Sequence, residues 1–238
     1  MSPEMQLLLA AAFFFIYDSA HLLGTNEVIL IPNRPSWNYV SGRNGITICG
    51  KKLLISHPFA LHRPEYRLHW DYRQVVGLAD GNLPPYLPRH GLLALIAYSS
   101  WLLIFLVFPV VLLHFRNDQA LLICAAAIYA ISLLASFTVI ANHQELGLTL
   151  HQARAMALDF VLCPPFTPNI VRRISYTQEN NFSLIAAAKR HLLEERWAQF
   201  HAELLEEVDV QINEAEGYTE KQSQLATFKE YLVQVRKT

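Results

Sequence analysis

The chain of 238 residues is 53% hydrophobic and only 16% charged, with a formal net charge of −1. Ordinary soluble domains are roughly 25% charged, so this composition argues for a membrane protein, and the near-neutral charge argues against nucleic acid as a partner. Three scattered cysteines (Cys49, Cys124 and Cys163), none in a CxxC pair, imply neither a disulfide framework nor a structural zinc site.

Residues 1–24 read as an N-terminal transmembrane anchor. Met5 to Gly24 is apolar from Leu7 to Tyr17 and then interrupted by Asp18 and His21. No Lys or Arg precedes the apolar run, which disfavours a cleaved signal peptide and favours an uncleaved anchor. A helix lying in the membrane interface is the alternative. Three residues apart on a helix, Asp18 and His21 would share a face, about 5–6 Å apart at Cβ. Ionisable groups at that depth point to a proton relay or a polar anchor. The plainer reading is that Asp18 marks where the span surfaces.

Residues 25–90 read as a small β-rich cytoplasmic insert. Glu27 to Ile31 is a β-branched run, and Ile46 to Ser56 reads as a hairpin around Cys49-Gly50-Lys51. Pro32, Pro35, Pro58 and Pro64 limit strand length, and Asn82 to Pro88 makes a stiff approach to the next span. With so few apolar residues, the insert is expected to lean on the membrane or on the C-terminal segment.

Residues 91–142 form the clearest feature, a hydrophobic helical hairpin. Leu92–Phe115 and Ala120–Ala141 carry no charged side chain and flank the polar break Arg116-Asn117-Asp118-Gln119. Each exceeds the ~18–20 residues needed to cross a hydrocarbon core. Pro109 should kink the first helix near its end. Ala125, Ser132 and Ser136 line one face of the second, a seam expected to meet another span.

Residues 143–178 read as a membrane-proximal helix and Pro-rich linker. Thr149-x-x-Gln152 is a capping box. The helix it opens should run to Val161 or Leu162 and stop before Cys163-Pro164-Pro165. Carrying Arg154 and Asp159, it is expected at the cytoplasmic membrane surface.

Residues 179–238 read as a cytoplasmic α-helical hairpin with coiled-coil character. From Phe182, the positions Ala186, Leu193, Trp197, Phe200, Leu204 and Val208 keep one helical face, with glutamates on the remainder. Gly217 reads as a C-cap and Thr219-x-x-Gln222 as a second capping box. Leu225, Phe228, Leu232 and Val235 continue on the returning helix. Leu193, Trp197, Phe200 and Leu204 are the expected contacts with a protein partner or a second copy.

The fold expected is thus a mainly α membrane protein with three transmembrane helices, a small β-containing insert and a C-terminal helical hairpin. Lys and Arg placement puts the N-terminus outside, with residues 25–90 and the C-terminus in the cytoplasm, as in a bacterial inner membrane. Clusters such as His57, His62, His69 and Asp71, or His143, Glu145 and His151, match no metal-ligand spacing. No catalytic or cofactor motif is present. The preferred function is a non-catalytic membrane subunit or scaffold that assembles through its helical hairpin. The alternative is a membrane-bound enzyme or ion-handling protein with a site built from Asp18, His21, His143 and Glu145 at the cytoplasmic face.

Overall fold

The structure, a computed structural model, describes residues 2–33, 36–41, 46–72, 90–115, 117–178, 183–215 and 217–237. The stiff approach expected at Asn82 to Pro88 lies outside the described residues, as do Arg116 and Phe182. The chain is mainly helical with two three-stranded sheets, and it divides into two compact units.

One unit comprises Met1–Leu22, Leu53–Glu65 and Tyr86–Glu179. Its first helix, α1 (Pro3–Ser19), starts on Ser2, whose hydroxyl accepts from the Met5 amide, and has Pro3 where a missing N–H costs nothing. At Ala20 the backbone turns extended, and β1 (Ala20–Leu23) follows. This corrects the expected span from Met5 to Gly24. The helix has 17 residues, about 26 Å at 1.5 Å each, less than a hydrocarbon core of ~30 Å.

Next in the chain come β2 (Glu27–Asn33), β3 (Ser36–Ser41), β4 (Ile46–Ile48), β5 (Lys51–Ile55) and β6 (Tyr66–His69). They form sheets of order β1-β5-β4 and β3-β2-β6. The β4–β5 turn uses Cys49 at φ 49° and Gly50 at φ 76°. Two successive left-handed residues are what a tight hairpin turn matching strand twist requires.

The apolar hairpin begins with α2 (His90–Leu102). The effect of Pro109 is spread over two π-helical turns, Leu103–Val107 and Val111–Phe115, flanking the short α3 (Phe108–Val110). Widened turns relieve the crowding between the proline ring and the preceding carbonyls without ending the helix. After the cap Asn117 comes α4 (Asp118–Ala141). Gly91–Phe115 and Asp118–Ala141, of 25 and 24 residues, are long and apolar enough to cross a membrane.

Then α5 (Leu150–Leu162) opens with the expected reciprocal box between Thr149 and Gln152 and folds back along α4. Ser136 Oγ donates to the Ala157 carbonyl at 2.9 Å, and Ser132 Oγ lies 3.1 Å from Thr167 Oγ1. Ser132 and Ser136 of the small-residue seam therefore meet the 3-10 turn Pro164–Asn169 and α5, while α4 also packs against α2. A short α6 (Ile170–Thr177) completes the unit. Its apolar core joins Phe15, Leu93, Ile96, Ala135, Val139, Met156, Phe160 and Ile174.

The second unit comprises Leu23–Lys52, Tyr66–Pro85 and Asn180–Thr238. Its helices are α7 (Leu184–His191), α8 (Glu194–Glu214) and α9 (Thr219–Lys237). The single long helix expected from Phe182 is broken, because Leu192 and Leu193 are both extended. Gly217 adopts φ 96°, as a helix-ending glycine does. Thr219 is already helical, and the Gln222 amide bonds the Tyr218 carbonyl at 3.0 Å, so Thr219 is the first residue of the helix and not the cap of the expected second capping box.

One core joins Val28, Leu30, Tyr66, Leu68 and Trp70 of the strand segments to Leu184, Phe200, Leu204, Val208, Leu225, Phe228 and Leu232 of the helices. Trp70 stacks on Phe228 at 5.5 Å between centroids. Residues 28–30 and 66–70 of the β-rich segment thus share a hydrophobic core with the C-terminal helices. The apolar face of the helical hairpin is covered by the protein's own sheet.

Candidate functional site: a buried polar network beside an apolar cavity

Pro164 and Pro165 end α5 and start the 3-10 turn, since neither can donate to a continuing helix. The turn delivers Asn169, fully buried, to the C-terminal end of α1. Its Nδ2 donates to Asp18 Oδ2 and to Ser19 Oγ, both at 3.0 Å. Its Oδ1 accepts from Arg172 Nη1 at 3.0 Å. On α6, Arg172, Ser175 and Tyr176 share a face at spacings of three and four.

Among the described residues, Arg172 is the largest fully buried side chain. Besides Asn169 it donates to the His57 carbonyl and stands 3.4 Å from Glu65 Oε1 in an ion pair whose side chains are 2% and 5% exposed. Ser56 Oγ donates to Glu65 Oε2 at 2.7 Å, and the Glu65 amide donates to Ser175 Oγ at 2.9 Å. Burial pushes the Glu65 carboxyl above the ordinary range, against the Ser56 hydrogen bond and the Arg172 charge. Burial likewise pushes Arg172 down, against the attraction of Glu65. Both shifts mean that the loss of water outweighs the mutual attraction, the usual balance for a buried pair.

A second guanidinium, Arg173, donates to Asp159 and stands 3.6 Å from Asp18 Oδ1. It lies over the rings of Phe160 and Phe166, 5.5 and 5.2 Å from their centroids. Three carboxylates, Asp18, Glu65 and Asp159, therefore face two guanidiniums. The arrangement ties the end of α1, the loop 56–65, α5 and α6 together. Each of its acids is engaged by a donor.

Against this network lies a cavity of about 410 Å³ lined by Ala12, Phe15, Ile16, Ser19, Ile55, Ser56, Pro58, Phe59, Trp101 and Phe105.

Of the residues singled out from sequence, Asp18 enters the network. His21 does not share its helix face, because the helix ends at Ser19. It lies in β1, stacked on Tyr176 at 4.0 Å. In the second unit Phe200 and Leu204 are core residues and Trp197 packs beside them. Leu193, at the start of α8, is 59% exposed. Glu65, Asn169, Arg172 and Ser175 escaped sequence reasoning; the one local signal for them is the Pro-rich turn running into Asn169 and the paired arginines. Of the other residues in the alternative His/Asp/Glu site, His143 has its Nδ1 2.9 Å from the Ile140 carbonyl. Among the described residues, no group of three or more His, Cys, Asp or Glu side chains is gathered to hold a metal. No protein-family model, curated protein or solved structure matches the chain.

Proposed function

We propose that the chain is an integral membrane protein serving as a non-catalytic subunit or scaffold. Its apolar hairpin is embedded in the bilayer, and residues 25–90 and 179–238 lie on the cytoplasmic side. The observation that carries this reading is the exposure of the two long helices. Only 22% and 28% of their apolar stretches are buried, whereas a soluble core helix of that composition hides nearly all of it. Exposed apolar faces of this size are stable in hydrocarbon and aggregate in water.

In the assembly role, partner contact falls to what the second unit leaves outside its core. Leu193 and the outward side of α8 and α9 carry it; Phe200 and Leu204 serve the fold. The orientation rests on basic residues flanking the hairpin; of these, Arg172 and Arg173 are also paired within the fold.

Alkaline carbonate extraction of membranes from cells making the full chain tests the membrane reading. The protein should stay with the pellet and be released by detergent; release by carbonate alone overturns it. Light scattering in detergent tests the assembly role. A protein mass above the 27.1 kDa of one chain supports it, and a strictly monomeric particle that captures no chain from its native membrane refutes it.

A further inference from the structure

We propose that the cavity between α1, the loop 56–65 and α2 takes one acyl chain of an anionic membrane phospholipid, with Arg63 at the level of the phosphate. The proposal rests on the membrane reading above and adds a ligand to it.

The first argument is chemical. The walls are aromatic and aliphatic, and among the described residues only two hydroxyls, those of Ser19 and Ser56, reach the cavity. Both are already committed: Ser19 Oγ donates to the Phe15 carbonyl at 2.8 Å and accepts from Asn169, while Ser56 Oγ donates to Glu65. A polar ligand would give up its hydration for almost nothing. An apolar chain gives up nothing and gains contact.

Shape supports the same occupant. Phe59 meets Trp101 edge-on at 5.5 Å, Trp101 meets Phe105 at 6.0 Å, and Phe105 meets Phe15 at 5.0 Å between centroids. These mutual contacts hold the walls in place without a ligand. The volume of about 410 Å³ falls within the roughly 300–1,000 Å³ of small-molecule sites. Phe105 belongs to the π-helical turn Leu103–Val107, and such turns are frequent at functional sites.

The third argument is the mouth. Ile16, Ile55 and Phe59 line the cavity and are themselves 51%, 54% and 61% exposed, so it opens onto an apolar surface. The chain of a lipid already resident in the bilayer reaches it without crossing water. The loop that supplies Phe59 folds tightly, with the Ala60 and Arg63 amides bonding the His57 and Ala60 carbonyls at 3.1 Å. It presents Arg63 exposed, a cation suited to a phosphodiester.

The test uses the full chain in phosphatidylcholine nanodiscs containing a small share of phosphatidylglycerol with a diazirine at the end of one acyl chain. After irradiation, crosslinks should concentrate on Phe15, Trp101 and Phe105 and saturate with label. Exposed Phe137 on α4 should be labelled in proportion to label. Ala12→Phe, which fills the cavity, should cut the cavity crosslinks roughly tenfold and leave those at Phe137 unchanged. Ile16→Trp provides a second block if the first variant misfolds. Arg63→Gln should abolish the advantage of phosphatidylglycerol over phosphatidylcholine carrying the same label. Non-saturating cavity crosslinks that survive both blocking variants overturn the proposal, as does preferential labelling by a free fatty acid with the same tail. Absence of crosslinks at Phe137 as well refutes the membrane reading itself.

Discussion

Replacing Arg172 by Met separates the two ways a buried ion pair can act. At 3.4 Å from Glu65 and an effective dielectric constant of about 20, the attraction is roughly 5 kcal/mol, set against the cost of taking both groups out of water. Arg172→Met leaves the Glu65 carboxylate buried without its counter-charge and strands the acceptors Asn169 Oδ1 and the His57 carbonyl. Removing one partner of such a pair costs about 3–5 kcal/mol, which is roughly 6–20 °C of thermal midpoint for a chain of this size. Glu65→Gln alone should be costly for the same reason. The double variant Arg172→Met/Glu65→Gln should recover much of the loss, because no buried charge remains in the pair. The pH dependence gives a second check. A carboxyl raised in the folded state contributes stability that is fully present below its unfolded value of about 4.3 and is lost as pH rises through the folded value. Without Arg172 the Glu65 carboxyl rises further, so the deficit of Arg172→Met should be smallest in acid, where the stranded acceptors alone contribute, and grow as pH rises above about 4.3. Thermal unfolding of the detergent-solubilised chain between pH 4 and 8 reads both effects. A single-variant loss under about 1 kcal/mol, or single and double losses that simply add, would refute the account.

The second unit yields sharper contrasts than its sequence suggested. Phe200→Ala should cost about 3–5 kcal/mol in unfolding because the ring sits in a shared core, whereas Leu193→Ala, at an exposed site, should stay within about 0.5 kcal/mol and register only in complex size. Tyr39→Phe removes the hydroxyl that donates to Glu203 Oε1 at 2.9 Å. It should cost at most about 1.5–3 kcal/mol, the range for hydrogen bonds to charged groups, towards the low end because Ser41 Oγ still donates to Glu203 at 3.2 Å. Gly50→Ala meets open space, so its cost of roughly 1–2 kcal/mol should come wholly from the left-handed backbone; a neutral result in chemical denaturation would mean that the turn is not held in that conformation.

What the sequence made legible is what partners a few residues apart decide. The Thr149–Gln152 box, the Cys49-Gly50 turn and the arrest of α5 at Cys163 each depend on groups within one helical turn or one hairpin loop, and each stands where the pattern put it. The early end of α1 is of another kind. Nothing apolar stops it at Ser19; the chain turns extended there because the Ser19 carbonyl accepts from the Ser56 amide at 3.0 Å and β1 pairs with β5. The break at Leu192–Leu193 hid for a related reason: Ala186, Leu193 and Trp197 keep helical spacing across it, so periodicity carries no trace of two extended residues. The network was the least legible part, since Glu65 meets Ser175 from 110 residues away. Arg172 and Arg173 read naturally as flanking charges after an apolar segment. A count of basic residues cannot distinguish a guanidinium that anchors a helix at the membrane surface from one bound into the interior. Both follow apolar sequence, and only their acids tell them apart. Those acids, Asp18, Glu65 and Asp159, sit in three separate stretches of the chain, each looking from sequence like a place where the protein meets water.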